Sequence, residues 1–349
     1  MSLIFCDGVD DALGDLGKWD LVYQFARNIA YSRNGSLGYR SGDQGPRIQR
    51  LLGTANEHAT ITMGCAFKGE GAGAFQRWTT TIGHMSFWSD NGSVQHVQIF
   101  LTWDGTNARV AAYRGPGSAL LGDAVVSAWV VNQWYYVEAQ VVLHDTAGSV
   151  IVKINGTTVL NLTGVDTKNG GTKTVIDSVS IANPGVNNGM QYDDIYITNG
   201  AGSVNNDFLG DIAVETLYPS GDGSSSQWVG SDGNSINNSL LVDETVPDTT
   251  DYVQSATAGN QDLYGYTDLV RSTGTIYGLM VSSYAQKSDG GDVSVKNVIK
   301  SATTILASAA KTLVTTYLPV SSIQEIDPNT SAAWTVAGVN SLEAGVEVA

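Results

Sequence analysis

The stretch from Trp134 to Leu162 reads WYYVEAQVVLHDTAGSVIVKINGTTVLNL. Val137, Ala139, Val141 and Leu143 alternate with Tyr136, Glu138 and Gln140. In an extended chain successive side chains point to opposite faces, so this alternation predicts a strand with one buried face and one wet face. A turn is expected over His144–Ser149, and then Val150, Val152 and Ile154 again face inward while Ser149, Ile151 and Lys153 face out. Asn155-Gly156 follows, the residue pair best suited to a two-residue hairpin, because a type I′ turn needs positive φ twice. Thr157 to Leu162 returns. Three strands joined by two short turns make an antiparallel meander, and a meander with one apolar face belongs to a sandwich.

The same texture continues on both sides. Thr60–Phe67, Thr81–Trp88, His96–Trp103, Arg109–Arg114 and Thr174–Ala182 are strand-sized and bounded by Gly, Asn, Asp or Pro. That spacing predicts an all-β jelly-roll sandwich. Gly200 to Asp207 is a polar, Gly- and Asn-rich break, so a first domain is placed at 1–207 and a second, smaller β-sandwich at 208–349. In the second, Ile212–Tyr218, Asp262–Val270, Thr275–Gln286, Asp292–Lys300 and the terminal Val346–Val348 read as strands. Pro219–Asn238 reads as a polar loop pinned by Trp228, and Trp334–Leu342 as a short helix. Ala302–Leu318 carries both a helical stripe and a β-branched run; a hairpin is preferred to a helix because its surroundings are all strand.

Composition narrows the function. The 349 residues carry 34 acids against 18 bases, a net charge of −16. Such a surface repels phosphate backbones and anionic lipid, so neither nucleic acid nor membrane is an expected partner. The acids dominate most strongly after residue 210, where 16 face only 5 bases. No opening apolar segment resembles a signal peptide and none is long enough to span a bilayer, so the expected place of assembly is a reducing cytoplasm. There Cys6 and Cys65 are expected as reduced thiols, with a bridge between neighbouring strands as the alternative.

Three segments carry a family resemblance. Leu3-Ile4-Phe5-Cys6-Asp7-Gly8 is similar to the start of many tailed-phage virion proteins. The Trp134–Leu162 meander together with Asp193-Asp194-Ile195-Tyr196-Ile197 resembles the laminin-G/concanavalin A-like superfamily. Asn329 to Val346 resembles the C-terminal sandwich that follows that jelly roll in phage structural proteins. The resemblance implies a particle component, located in the virion after assembly in the host cytoplasm. It would belong to the tail, fibre or baseplate, or decorate the head. Its partners would be copies of itself and other virion proteins, and family members often bind glycans at a loop rim or sheet face.

Chemistry is sparse along the chain. His58, His84, His96 and His144 lack metal-ligand or nucleophile spacing, and no strand carries paired carboxylates of glycosidase type; Glu138 is followed by Gln140 where a second acid would be wanted. A non-enzymatic assembly protein is therefore the leading expectation, a host-glycan adhesin the second, and a polysaccharide hydrolase the third. Trp134, Tyr136 and Glu138 share one outward face and are the candidate glycan or partner surface, since aromatic rings stack on sugars. Most other aromatics, Trp78, Trp88, Trp103 and Trp129 among them, are expected in the core. Asp194, with Asp104, Asn107 and Asp145, is the candidate calcium set, because hard cations want several oxygens. The alternative for Asp194 is a carboxylate that caps a turn.

Overall fold

The computed structural model describes residues 2–10, 18–35, 37–42, 45–71, 75, 83–103, 106–117, 119–184, 189–245 and 249–349. The chain divides into two compact units, the first comprising Met1–Asp10 and Trp19–Val214, the second Asp11–Lys18 and Glu215–Ala349. Residues 208–214, which the sequence assigns to the second domain, fold with the first because their backbone N–H groups are bonded to side chains of its strands.

The first unit is built from β1 (Leu3–Asp7), β2 (Leu21–Tyr23), β3 (Phe25–Asn28), β4 (Gly38–Ser41), β5 (Arg47–Leu51), β6 (Thr60–Gly69), β7 (Met85–Ser89), β8 (Val94–Trp103), β9 (Ala108–Arg114), β10 (Ala119–Val126), β11 (Trp134–Val142), β12 (Gly148–Ile154), β13 (Thr157–Val165), β14 (Ser178–Ala182) and β15 (Met190–Asn199). One sheet runs β13-β12-β11-β6-β15-β4-β3, with β1 also on β15; the other runs β10-β9-β8-β7-β14-β5-β2. The crossovers between sequence-distant strands are those of a jelly-roll sandwich. The meander forms as read: Asn155 and Gly156 take φ of 48° and 78° between β12 and β13. Both cysteines are free thiols, Cys65 buried and Cys6 half-buried.

Register shows where the core lies. Val137, Ala139 and Val141 stand opposite Cys65, Met63 and Ile61, all fully buried. Across the other sheet Ile48, Ile181, Met85, Ile99 and Ala112 form one continuous row, each with no exposed surface. Burying each large member of these rows stabilises the fold by about 1.5–3 kcal/mol.

In the second unit the sheet order is Pro219–Ser226, Gln261–Tyr266, Glu343–Val348, Ser294–Ser301, Thr304–Ala307, with Lys311–Thr312 also on Ser294–Ser301. The stretch after Ala302 is therefore strand, as preferred. A separate two-stranded antiparallel ribbon pairs Leu279–Ala285 with Leu318–Gln324. Asn297 holds it to the sheet, donating from Nδ2 to the carbonyls of Val281 and Val320 at 2.9 Å each. Trp228 donates to the Asn260 carbonyl and packs on the Val295, Leu313, Val320 cluster. Thr335 caps the helix Val336–Asn340, accepting from Gly338 N. Two expectations are corrected. Residues 212–218 carry no strand, and the Gly/Ser-rich stretch read as a loop is the edge strand Pro219–Ser226. Small residues are needed there because a Cβ on Gly223 would stand 2.6 Å from the Leu263 carbonyl oxygen. Among the described residues no helix is long and apolar enough to cross a membrane.

Candidate functional site

Trp134, Tyr136 and Glu138 do share a face, but that face is not wet. Tyr136 is 1% exposed and Glu138 fully buried, while Trp134 is half-buried with the Lys68 amine 4.8 Å from its ring centroid. The alternation gave the parity correctly; what covers the outer side is residues 207–214, folding back over the sheet. Glu138 Oε1 accepts hydrogen bonds from the Tyr196 hydroxyl and from Gly210 N (2.8 Å), and Leu209 N donates to the Tyr196 hydroxyl (3.1 Å). Burial pushes the Tyr136 and Tyr196 phenols well up, so both remain protonated donors. Tyr196 lies over Gly64, and a Cβ at position 64 would stand 2.7 Å from its ring carbon Cδ1 and nearer still to Cε1. The surface proposed from sequence at Tyr136 and Glu138 is thus a buried polar layer, with the carboxylate spent on holding the covering segment.

Among the described residues, the members of the calcium set lie apart. Asp194 is fully buried at a β-bulge in β15 with φ of 51°, a conformation that Asp tolerates better than most residues. Its Oδ2 accepts from Arg33 Nη1 (3.2 Å) and Asn34 Nδ2 (2.9 Å), and its Oδ1 from Val214 N (2.8 Å). Its oxygens therefore act as a clasp on two segments. Asp145 is exposed in the β11–β12 turn, 3.8 Å from Lys168 Nζ, and Asn107 lies in the β8–β9 turn of the other sheet. Asp104 and Trp78 lie outside the described residues. Among those described, no three His, Cys, Asp or Glu residues are gathered as metal ligands. Next to Asp194, burial and that residue's negative charge push the Asp193 carboxyl well above the usual carboxylate range.

The other sheet carries a polar row of its own. Counting across it in register, Gln49, Ser180, Ser86, Gln98 and Tyr113 stand side by side, on the face opposite the apolar Ile48–Ala112 row. The row is itself buried: Ser180, Ser86 and Gln98 have no exposed surface and Gln49 only 6%, with Tyr113 half-buried at its end. Beside it, Gln49 Nε2 donates to Ser178 Oγ (2.8 Å) and Trp88 Nε1 to Ser180 Oγ (2.9 Å). At its edge lies a groove of about 530 Å³ lined by Arg47, Trp88, Ser93, Val94, Gln95, Pro116 and Asn169. The Arg47 guanidinium sits 5.2 Å from the Trp88 ring centroid, a cation–π contact that fixes it at the groove wall. Asn169 spans the floor, its backbone N–H donating to His96 Nδ1 (3.0 Å) and its Nδ2 to the Gln95 carbonyl (3.2 Å).

His96 explains why this corner is rigid. Because Nδ1 accepts from Asn169 N, the ring proton is on Nε2, which donates to Ser89 Oγ (2.7 Å); Ser89 Oγ in turn donates to Asp90 Oδ2 (2.9 Å). The serine stands between acid and imidazole, whereas an activated nucleophile needs the imidazole between serine and acid. Burial pushes His96 down to about 4, so the imidazole is neutral and structural. Between pH 6.5 and 4 the unfolded chain takes up this proton and the native one does not. His96 therefore contributes stability present above pH 6.5 and lost as pH falls towards 4, at most about 3 kcal/mol. In the His96→Gln variant the part of the melting-temperature slope due to this group should vanish over that window; an unchanged slope would show that His96 does not carry it.

No known family model matches the chain, and no curated protein is detectably similar to it. Solved structures do share its architecture in part. A carbohydrate esterase from the Shiga toxin-encoding bacteriophage phi24B is 14% identical, covering 56% of this chain and 97% of its own, at a TM-score of 0.40. A Bacillus subtilis protein of unknown function with a galectin-like fold is 10% identical over 57% of this chain and 98% of its own, TM-score 0.36. The lumenal domain of VIP36, solved with calcium and a mannose-containing glycan, is 12% identical over 55% and 90%, TM-score 0.32. Trp88 is buried as expected, at 7% exposed, and still lends an edge to the groove, whereas Trp103, expected in the core, is 41% exposed. The available sequence signal was parity: Ser86 and Trp88 in β7 and Ser178 and Ser180 in β14 each flank a single apolar residue and so share a face.

Proposed function

We propose that this chain is a non-enzymatic glycan-recognition component of a tailed-phage particle, binding sugar in the Arg47–Trp88–Asn169 groove. One observation carries the reading: a groove walled by Trp88 and Pro116 is lined as well by Arg47, Ser93 and Asn169, so that polar groups and an aromatic edge share one opening. Sugars present hydroxyls around apolar ring faces, and a site combining amides, hydroxyls and an aromatic wall answers both. The placement in a virion rests on the opening, meander and C-terminal resemblances in the sequence. Binding is tested by affinity electrophoresis through gels containing neutral and acidic polysaccharides. Retardation by at least one of them is expected. It should weaken about 10-fold or more in Asn169→Ala, which removes an acceptor from the floor; equal mobility in every gel would sink the reading.

A second reading, assembly through contacts between copies, has its own support. The edge strand β10 leaves Leu120 and Val125 more than half exposed, at 54% and 57%, and an open apolar edge invites pairing. Light scattering on Leu120→Lys/Val125→Lys tests it: an oligomer that falls to monomer supports assembly at this edge, and an unchanged mass refutes it.

A further inference from the structure

Among the described residues, two groups at the groove, the Arg47 guanidinium and the buried Gln95 amide, have no acceptor for their N–H groups. Among the described residues no carboxylate lies within ion-pair distance of Arg47, although the chain has 34 acids. Arg33, Arg40, Arg50, Arg109, Arg114 and Arg271 each have one. Gln95, 5% exposed and lining the same groove, has a buried Nε2 with no acceptor, while its Oε1 is occupied by Gln98 Nε2 at 2.7 Å. A half-buried guanidinium and a buried amide without partners each cost free energy. They persist where a ligand supplies the missing acceptors.

Resting on the glycan reading above, we infer that the groove takes a carboxylate-bearing sugar, a uronic or sialic acid residue, whose carboxylate is held by Arg47 with the Gln95 amide beside it. The planar guanidinium presents paired N–H groups that match two carboxylate oxygens, while Trp88 steadies it from one side. Asn169 and Ser93 remain for ring hydroxyls. General electrostatics do not favour such a ligand. With a net charge of −16 the protein repels a polyanion at long range. Binding therefore reports a local site.

The probes are polygalacturonate, its fully methyl-esterified form, polysialic acid, dextran and dextran sulfate, each titrated by microscale thermophoresis against the intact chain. Polygalacturonate or polysialic acid should bind at least 10-fold more tightly than the methyl ester and dextran, and which of the two binds separates the uronic from the sialic source. Arg47→Ala should abolish that preference and leave any residual dextran affinity unchanged. Arg47→Lys, which keeps charge but not the paired donors, should recover only part of it and guards against a folding defect. Methyl ester binding as well as the acid, or an Arg47→Ala variant with undiminished preference, overturns the carboxylate inference while glycan binding stands. Dextran sulfate binding as tightly as the carboxylated polymers also overturns it, because the site then reads charge alone. If no polysaccharide of either class binds, the glycan reading itself falls.

Discussion

Gly64→Ala is expected to unfold the first unit. Gly64 lies mid-strand in β6, opposite Glu138 on one side and Tyr196 on the other. The Tyr196 ring folds flat over it to reach Glu138. A methyl group there would stand 2.7 Å and 2.8 Å from ring atoms Cδ1 and Cζ, and nearer still to Cε1. The ring cannot simply swing away. Its hydroxyl donates to Glu138 and accepts from Leu209 N, and all three groups are sealed from water. Displacing it adds the overpacking cost, typically 1–3 kcal/mol, to one or two unsatisfied buried groups at about 1–3 kcal/mol each. The sum is a large fraction of a domain's whole stability. Chemical denaturation of the variant should show the first-unit transition lost or shifted by more than about 3 kcal/mol. A shift below about 1 kcal/mol would mean that Tyr196 and residues 207–214 are not held as described. Tyr196→Phe in the same background separates the causes, since it removes the hydroxyl bonds and leaves the ring clash.

Asp194→Ala should cost nearly as much, by a different route. The carboxylate receives Arg33, Asn34 and Val214 N, and Arg33 also pairs with Asp211 at 2.6 Å. Removing a buried charge that holds a cation typically costs about 3–5 kcal/mol, because the partner is left without compensation. Here Asp211 still faces Arg33, which places the expected loss at the lower end, near about 3 kcal/mol. The replacement also puts alanine at φ of 51°, where Asp or Asn is better tolerated. Asp194→Asn should therefore recover the backbone part but not the charge. A clasp also predicts selective release. Protease should cut first within 207–214 in Asp194→Ala, and adding calcium should change neither protein's melting temperature. Calcium-dependent stabilisation of the wild-type chain that vanished in Asp194→Ala would restore the metal role and remove the clasp.

Sequence reading reached far into the architecture, because a strand announces itself in two residues of periodicity. The β11–β12–β13 meander, the Asn155-Gly156 turn and the short helix capped by Thr335 follow from local preference, while the strand character of the Ala302–Leu318 stretch had to be taken from its all-strand surroundings. It failed at Ser220–Ser226, where Gly and Ser look like a linker but lie close against Leu263 in an edge strand. It failed too at Tyr136 and Glu138, whose parity was right and whose exposure was not.

What the amino-acid order determined by itself is which residues share a face, since alternation is a property of the extended backbone and needs no partner. What only the tertiary structure decided is which of those faces meets water. Residues 207–214 lie some seventy positions from Glu138, and nothing local in either segment says that one closes over the other. The groove is a mixed case: Trp88 and Gln95 pair across the local β7–β8 turn, but only the tertiary fold brings Arg47 and Asn169 to them. Burial is a long-range quantity, set by which segments return to which sheet, and a one-dimensional pattern carries the parity of a side chain without its cover.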